Sequence, residues 1–168
     1  LQRSAIGTMA ERKSRLTSLV HLPREPGHGT VARTKNGPAL AGYGAQSMNR
    51  ALVSKAAALP PGSLRSLTWD RGKELSGHAA FTEQTGVGVY FADPHSPWQR
   101  PLNENSGGLL RQYFPKGTDL SRWAPEDLDA VAHALNTRPR KCLGWRTPAE
   151  VFEEALQSQQ DIGVATTA

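Results

Sequence analysis

Two acidic residues stand where a chain can aim them at one point. Asp70 closes the short run Ser66-Leu67-Thr68-Trp69 and is followed by Arg71 and Gly72, an arrangement that presents a carboxylate at the mouth of a buried strand. Glu104, within Asn103-Glu104-Asn105, follows after 104 − 70 − 1 = 33 intervening residues and opens a predicted helix. A strand end and a helix start can converge. A hard divalent cation such as Mg²⁺ takes one or two carboxylates, keeps much of its water and binds substrate phosphates, so this pair suits metal-assisted chemistry on a phosphate ester. Read without context, an Asp beside a glycine is equally a turn former, and a Glu at a helix start a partner for the helix dipole.

The remaining chemistry is cationic and aromatic. Trp98, Gln99 and Arg100 lie in a proline-bounded loop just before the Glu104 helix, where an indole and a guanidinium could stack on a base and hold a phosphate. Arg111, Lys116, Arg138, Arg140 and Lys141 are candidate phosphate contacts acting through counterion release. The net charge of +5 conceals an asymmetry: residues 1–73 hold 12 Lys or Arg against Glu11, Glu25 and Asp70, a balance of +9, which leaves −4 for the rest. Such an asymmetry points to a half that faces a polyanion, or to a solvated basic face. His78 and His95 have no partner at metal-ligand spacing and read as structural or loop residues. The single cysteine, Cys142, excludes an internal disulfide framework and a multi-cysteine zinc site and fits a reducing, cytoplasmic setting.

These groups must be held by one compact domain. A chain of 168 residues with 38% hydrophobic and 21% charged content can build one core, and it contains no apolar run long enough to span a membrane. Ser4 to Glu11 and Leu16 to Leu22 read as a hairpin about the polar turn Arg12-Lys13-Ser14-Arg15. Pro23 to Gly44 holds five glycines, two further prolines and the basic pair Arg33 and Lys35, the composition of a long loop that could serve as a DNA-contacting arm. Ala45 to Leu59 is a predicted helix, since Met48, Leu52, Ala56 and Leu59 share one face, and Pro60-Pro61-Gly62 stops it. A strand over Arg65–Trp69, a helix over Lys73–Gln84 and a strand over Val87–Phe91 follow. Helices are then predicted over Asn103–Tyr113 and Pro125–Asn136, the latter with Leu128, Val131, Ala132 and Leu135 on one face. A last helix opens at Thr147-Pro148-Ala149-Glu150, which has the spacing of a capping box, and residues after Gln157 read as a tail. Strands followed by alternating strands and helices make an α/β sheet with helices on its faces.

Several words of the sequence resemble a known family. Leu67-Thr68-Trp69-Asp70-Arg71-Gly72-Lys73-Glu74, Tyr90-Phe91-Ala92-Asp93-Pro94-His95-Ser96-Pro97-Trp98-Gln99-Arg100, Asn103-Glu104-Asn105, Gly108-Leu109-Leu110-Arg111-Gln112-Tyr113-Phe114-Pro115-Lys116-Gly117 and Leu135-Asn136-Thr137-Arg138-Pro139-Arg140-Lys141 fall in that family's order. On these the chain is similar, from about Ser4 to Phe152, to the catalytic core of bacterial insertion-sequence transposases of the DDE type, the IS-thirty group, related to retroviral integrases. Pro101-Leu102 and Ser106-Gly107 stand where the family more usually has Gly-Thr and Thr-Asn.

The resemblance implies a ribonuclease-H-like integrase core over residues 1–157, a mixed sheet flanked by helices, with 158–168 as a flexible tail. It implies that Asp70 and Glu104 are the second and third of three metal-binding carboxylates, that two Mg²⁺ ions (Mn²⁺ as substitute) occupy the complete site, and that DNA is cleaved and joined by in-line attack. The family's first Asp sits on a strand upstream of the segment matching Ser4-Ala5-Ile6-Gly7-Thr8, so that carboxylate and that central strand are expected outside this chain, leaving a gap in the sheet. Among the acids present, Glu11, Glu74 and Asp93 could in principle stand in for it. DNA, both element ends and target, is the implied partner, with a homo-oligomer on DNA and no membrane. An inactive fragment that only binds DNA or itself, and an unrelated ribonuclease-H-like nuclease, are the competing readings.

Overall fold

The computed structural model describes residues 4–23, 45–69, 77–93, 101–115 and 117–165. The chain opens with a hairpin of β1 (Ser4–Ala10) and β2 (Thr17–Pro23), paired antiparallel from Ser4 opposite Pro23 to Ala10 opposite Thr17. Glu11 closes its turn. The Glu11 carboxylate accepts from the Lys13 N–H at 2.9 Å and from the Ser14 hydroxyl at 2.6 Å, and its own N–H donates to the Leu16 carbonyl at 2.8 Å. Burial pulls the Glu11 pKa upward, but the hydrogen bonds from Lys13, Ser14 and Arg12 outweigh it and hold the carboxyl below its ordinary range. Its lone pairs are thus engaged by its own turn.

Helix α1 (Ala45–Ala58) leads to β3 (Ser66–Trp69), α2 (His78–Thr85) and β4 (Gly88–Phe91). Strands β3 and β4 run parallel, Ser66 beside Gly88 and Trp69 beside Phe91, and the Ala92 N–H extends the ladder to the Trp69 carbonyl at 2.8 Å. Gly86 ends α2 at φ +71°, a left-handed cap that a side chain would strain. Then come α3 (Pro101–Leu110), a 3-10 turn at Leu120–Arg122, α4 (Pro125–Asn136), a second 3-10 turn at Lys141–Leu143, and α5 (Pro148–Ala165).

The hairpin is the middle of three layers, because alternate residues of a strand point to opposite faces. Met9, Val20 and Leu22 pack with Met48, Leu52, Leu67, Phe81 and Val87, drawing in α1, α2 and β3. On the other face Leu19 packs with Phe114, Leu128, Val131, Ala132 and Leu135, against α4 and the end of α3. Asn136 ties the layers together: its Oδ1 accepts from the Thr17 N–H and its Nδ2 donates to the Thr17 carbonyl, both at 2.8 Å. This is an α/β arrangement with helices on both faces of the hairpin.

Three differences from the predicted elements have local causes. The described strands form two separate pairs, β1–β2 and β3–β4, rather than one mixed sheet, and a cleft of about 690 Å³ lies where Thr8–Ala10 of β1 and Ser66–Trp69 of β3 face each other beneath Phe152, Ala155 and Leu156 of α5. No described strand joins the two. Helix α3 begins at Pro101 rather than Asn103, since proline's fixed φ and missing N–H suit a first turn, and it gives way after Leu110 to tight turns in which Gln112 and Tyr113 donate three residues back. Helix α5 runs to Ala165, through residues whose polar composition reads as a tail. Pro23 ends β2, while the rest of the predicted arm, residues 24–44, the start of the helix predicted from Lys73, His95 and the Glu74 position lie outside the described residues.

Candidate functional site

The parallel pair β3–β4 ends one residue before the first of the two acidic positions. Both strands end on the same side, at Trp69 and Phe91, and ligand sites of open parallel sheets form outside such carboxyl ends. Asp70 is the residue after Trp69 and lies outside the described residues, while Trp69 itself lines the cleft between β1 and β3. Glu104 stands in the first turns of α3, which reaches the hairpin through β1; only its backbone is described. Among the described residues no group of three or more His, Cys, Asp or Glu side chains is placed to hold a metal ion.

Ser106 of α3 is buried, and Leu109 and Leu110 pack against the second core cluster. Position 104 is therefore held by a helix anchored at its far end. His78 meets the Phe91 ring edge-on at 5.0 Å, a structural contact at the end of β4.

Of the predicted phosphate contacts, four are described. Arg111 is exposed after α3, and Arg138 donates from Nη1 to Gln112 Oε1 at 3.5 Å, so the end of α3 and the loop after α4 present Arg111 and Arg138 on adjoining surface. Lys141 is exposed. Arg140 differs: it is half-buried, its Nη2 donates to the Leu135 carbonyl at 3.1 Å, and its buried Nε finds no partner. That guanidinium sits at the carbonyl end of α4, where a cation is favoured by the helix dipole. Arg33, Lys35, Trp98, Arg100 and Lys116 lie outside the described residues.

Sequence reasoning passed over two groups. Arg12, Lys13, Arg15 and Arg65 gather round the cleft with Glu11. Their convergence depends on β1 and β3 lying opposite each other, which no spacing reveals. Trp145 was also passed over. It is 70% exposed and sits at φ +67° directly after Gly144 at φ +66°.

No family model matches the chain. Individual proteins do. It is 46% identical over 155 residues to the transposase InsI for insertion sequence element IS30A of Escherichia coli K12, covering 92% of this chain and 36% of that protein. It is 45% identical over 159 residues to the transposase for insertion sequence element IS1086 of Cupriavidus metallidurans, covering 95% of this chain and 42% of the relative. A putative integrase of Spiroplasma virus SpV1-R8A2 B is 36% identical over 91 residues, 54% of this chain and 28% of its own length. The chain thus spans well under half of the curated relatives it matches.

Proposed function

We propose that the chain, which is similar over nearly its whole length to transposases of the IS30 group, forms part of a core that cleaves element ends and transfers them into target DNA. The observation that carries the reading is the 46% identity running over 92% of the chain to a transposase. The position of Asp70 directly after the carboxyl end of β3, with Glu104 early in α3, supports a site at that end of the sheet.

Asp70 and Glu104 are the residues that would hold Mg²⁺, or Mn²⁺ in its place; both offer the hard oxygen donors that such ions take, and the complete two-ion site calls for a third carboxylate beside them. When bound, the metal supplies Lewis-acid activation and charge neutralisation at the phosphodiester. The chain's own side chains do the rest. Arg111, Arg138 and Lys141, with Arg140, Arg33, Lys35, Arg100 and Lys116, neutralise phosphates along the duplex, and Trp98 stacks at a frayed end. Positioned in line, a water or a DNA 3′-hydroxyl oxygen forms its bond to phosphorus as the bond to the leaving oxygen breaks.

The ribonuclease-H-like form of the fold is part of the same proposal. Its support is the three-layer packing about the hairpin and the cleft between β1 and β3, which no described strand fills. Two ends must meet one target, so more than one core acts on the DNA, and homo-oligomerisation belongs to the proposal. Chromosomal DNA as substrate implies work in the cytoplasm, at the nucleoid; among the described residues no helix is long and apolar enough to cross a membrane.

Nicking of a labelled element end tests the site. In the full-length protein, Asp70→Asn should lower metal-dependent cleavage about 100-fold or more while DNA affinity stays near wild type. Cleavage that survives Asp70→Asn undiminished would remove Asp70 from the site. A protein that binds the end and never cuts it in either form would point instead to a binding-only role.

A further inference from the structure

The loop from Arg140 to Arg146 holds an indole out into solvent at the cost of an unfavourable backbone. The Leu143 and Trp145 N–H groups both donate to the Arg140 carbonyl at 3.0 Å, the Gly144 N–H donates to the Lys141 carbonyl at 3.1 Å, and the Arg140 N–H donates to the Arg146 carbonyl at 3.0 Å. The loop is therefore closed on itself. Its two ends are fixed as well: Arg140 Nη2 grips the Leu135 carbonyl at the end of α4, and Thr147 and Glu150 cap α5, where the Thr147 N–H reaches Glu150 Oε2 at 2.7 Å. Trp145 adopts φ +67°, a left-handed conformation that side-chain-bearing residues other than Asn and Asp rarely take, and yet the residue is 70% exposed. A strained residue whose ring gains nothing from burial is a candidate for a role outside the fold.

The residues that flank Trp145 in sequence point to its partner. Between positions 138 and 146 the chain carries Arg138, Arg140, Lys141 and Arg146 and no acid. Arg138, Lys141 and Arg146 are exposed, and of these Arg146 shares its Nη1 with Glu154 Oε2 at 2.8 Å. A flat apolar ring on a loop closed by its own hydrogen bonds, in a stretch of sequence that carries four cations and no acid, suits a ligand with a π-face and phosphates beside it. We propose that Trp145 is a stacking platform for an unpaired base of DNA, with Arg138 and Lys141 holding the flanking phosphates. The inference rests on the reading that this chain acts on DNA and adds a site to it, on the far side of α4 from the Trp98 loop in sequence. Stacking is tolerant of base identity, because every base offers a π-face, so the site selects strand state rather than sequence.

The test is binding of labelled oligothymidylate, of a blunt duplex and of a duplex with a frayed end to the full-length protein, over a salt series, with Trp145→Ala, Trp145→Phe and Trp145→Gly. Loss of the ring should weaken binding of the single strand and the frayed end about 5- to 100-fold, the range that stacking on an aromatic side chain supports, and leave the blunt duplex and the salt slope unchanged. Trp145→Phe should keep most of the affinity. Trp145→Gly relieves the backbone at φ +67°, so it should melt no lower than wild type and still lose the stacking, which separates a binding role from a folding one. Single-strand affinity unchanged in Trp145→Ala and Trp145→Gly, with wild-type binding intact, overturns this inference alone. A change of oligomeric state without a change in DNA affinity overturns it in favour of a protein contact. Wild-type protein that binds none of the three DNAs overturns the DNA reading and this site with it.

Discussion

Asn136 offers a sharp test of how the three layers are joined. Its side-chain amide makes two hydrogen bonds of 2.8 Å to the backbone of Thr17, a residue only 3% exposed, across 119 positions of sequence. Asn136→Ala removes both partners at once and strands a buried N–H and a buried carbonyl at the start of β2. Each such group left unpaired costs about 1–3 kcal/mol, and partial entry of water into the space of the lost amide puts the sum near the lower half of that doubled range, about 2–4 kcal/mol. For a domain of this size, about 2–4 °C of melting temperature accompanies each kcal/mol, so the variant should melt about 5–15 °C lower. Asn136→Asp keeps an acceptor for the Thr17 N–H but sets a second oxygen against the Thr17 carbonyl, so it should not restore stability. Urea unfolding followed by far-UV circular dichroism gives the free energy, and amide hydrogen exchange at Thr17 locates it. A loss under about 0.5 kcal/mol with unchanged protection at Thr17 would refute the clasp.

Other outcomes follow from the same geometry. Phe81 is 1% exposed among Met48, Leu52, Leu67 and Val87, and Phe81→Ala should cost about 3–5 kcal/mol in a denaturant titration. Glu11 has a folded-state pKa below its ordinary value, so its stabilising effect is complete above that ordinary value and is lost as pH falls through the lower folded one. Glu11→Gln should therefore destabilise the protein at neutral pH and flatten the acid limb of the urea midpoint against pH; an unchanged limb would contradict the turn's hydrogen bonding. Arg138→Ala and Lys141→Ala should each lower the slope of log affinity against log salt by about 1, with little change in melting temperature. Arg140→Ala should also lower the melting temperature, because Nη2 of its guanidinium holds the Leu135 carbonyl.

Where a feature was local, the chain made it readable. The spacing of Leu128, Val131, Ala132 and Leu135 predicted α4 with its buried face, and Pro125–Asn136 is the helix observed, with all four residues buried. Thr147 and Glu150 form the reciprocal bonds that their spacing implied, the Glu150 N–H donating to Thr147 Oγ1 at 3.2 Å. The hairpin was likewise visible as two apolar stretches about a polar turn, though not the use of Glu11 to close that turn, which depends on a carboxylate folding back onto the N–H groups of Lys13 and Ser14. Features made by distant segments left no periodic trace: the Asn136 clasp, the basic rim of the cleft, and the separation of β3–β4 from the hairpin. Trp145 escaped for another reason. Its left-handed backbone is set by closure of the 140–146 loop, and in sequence the residue reads as one more aromatic near a helix start. Asp70 and Glu104 read as a pair in sequence because a strand end and a helix start each leave a local signature; a common metal between them belongs to the proposal.

Strand transfer decides the central claim most directly. A pre-cut, labelled element end is incubated with target DNA and Mg²⁺ or Mn²⁺, using the full-length protein and its Glu104→Gln variant. Joined products that form with the parent and vanish with Glu104→Gln, while end binding persists, are the predicted result. Joined products formed equally well by Glu104→Gln would contradict the assignment of Glu104, and nicks without joining in the parent would contradict transposition as the activity.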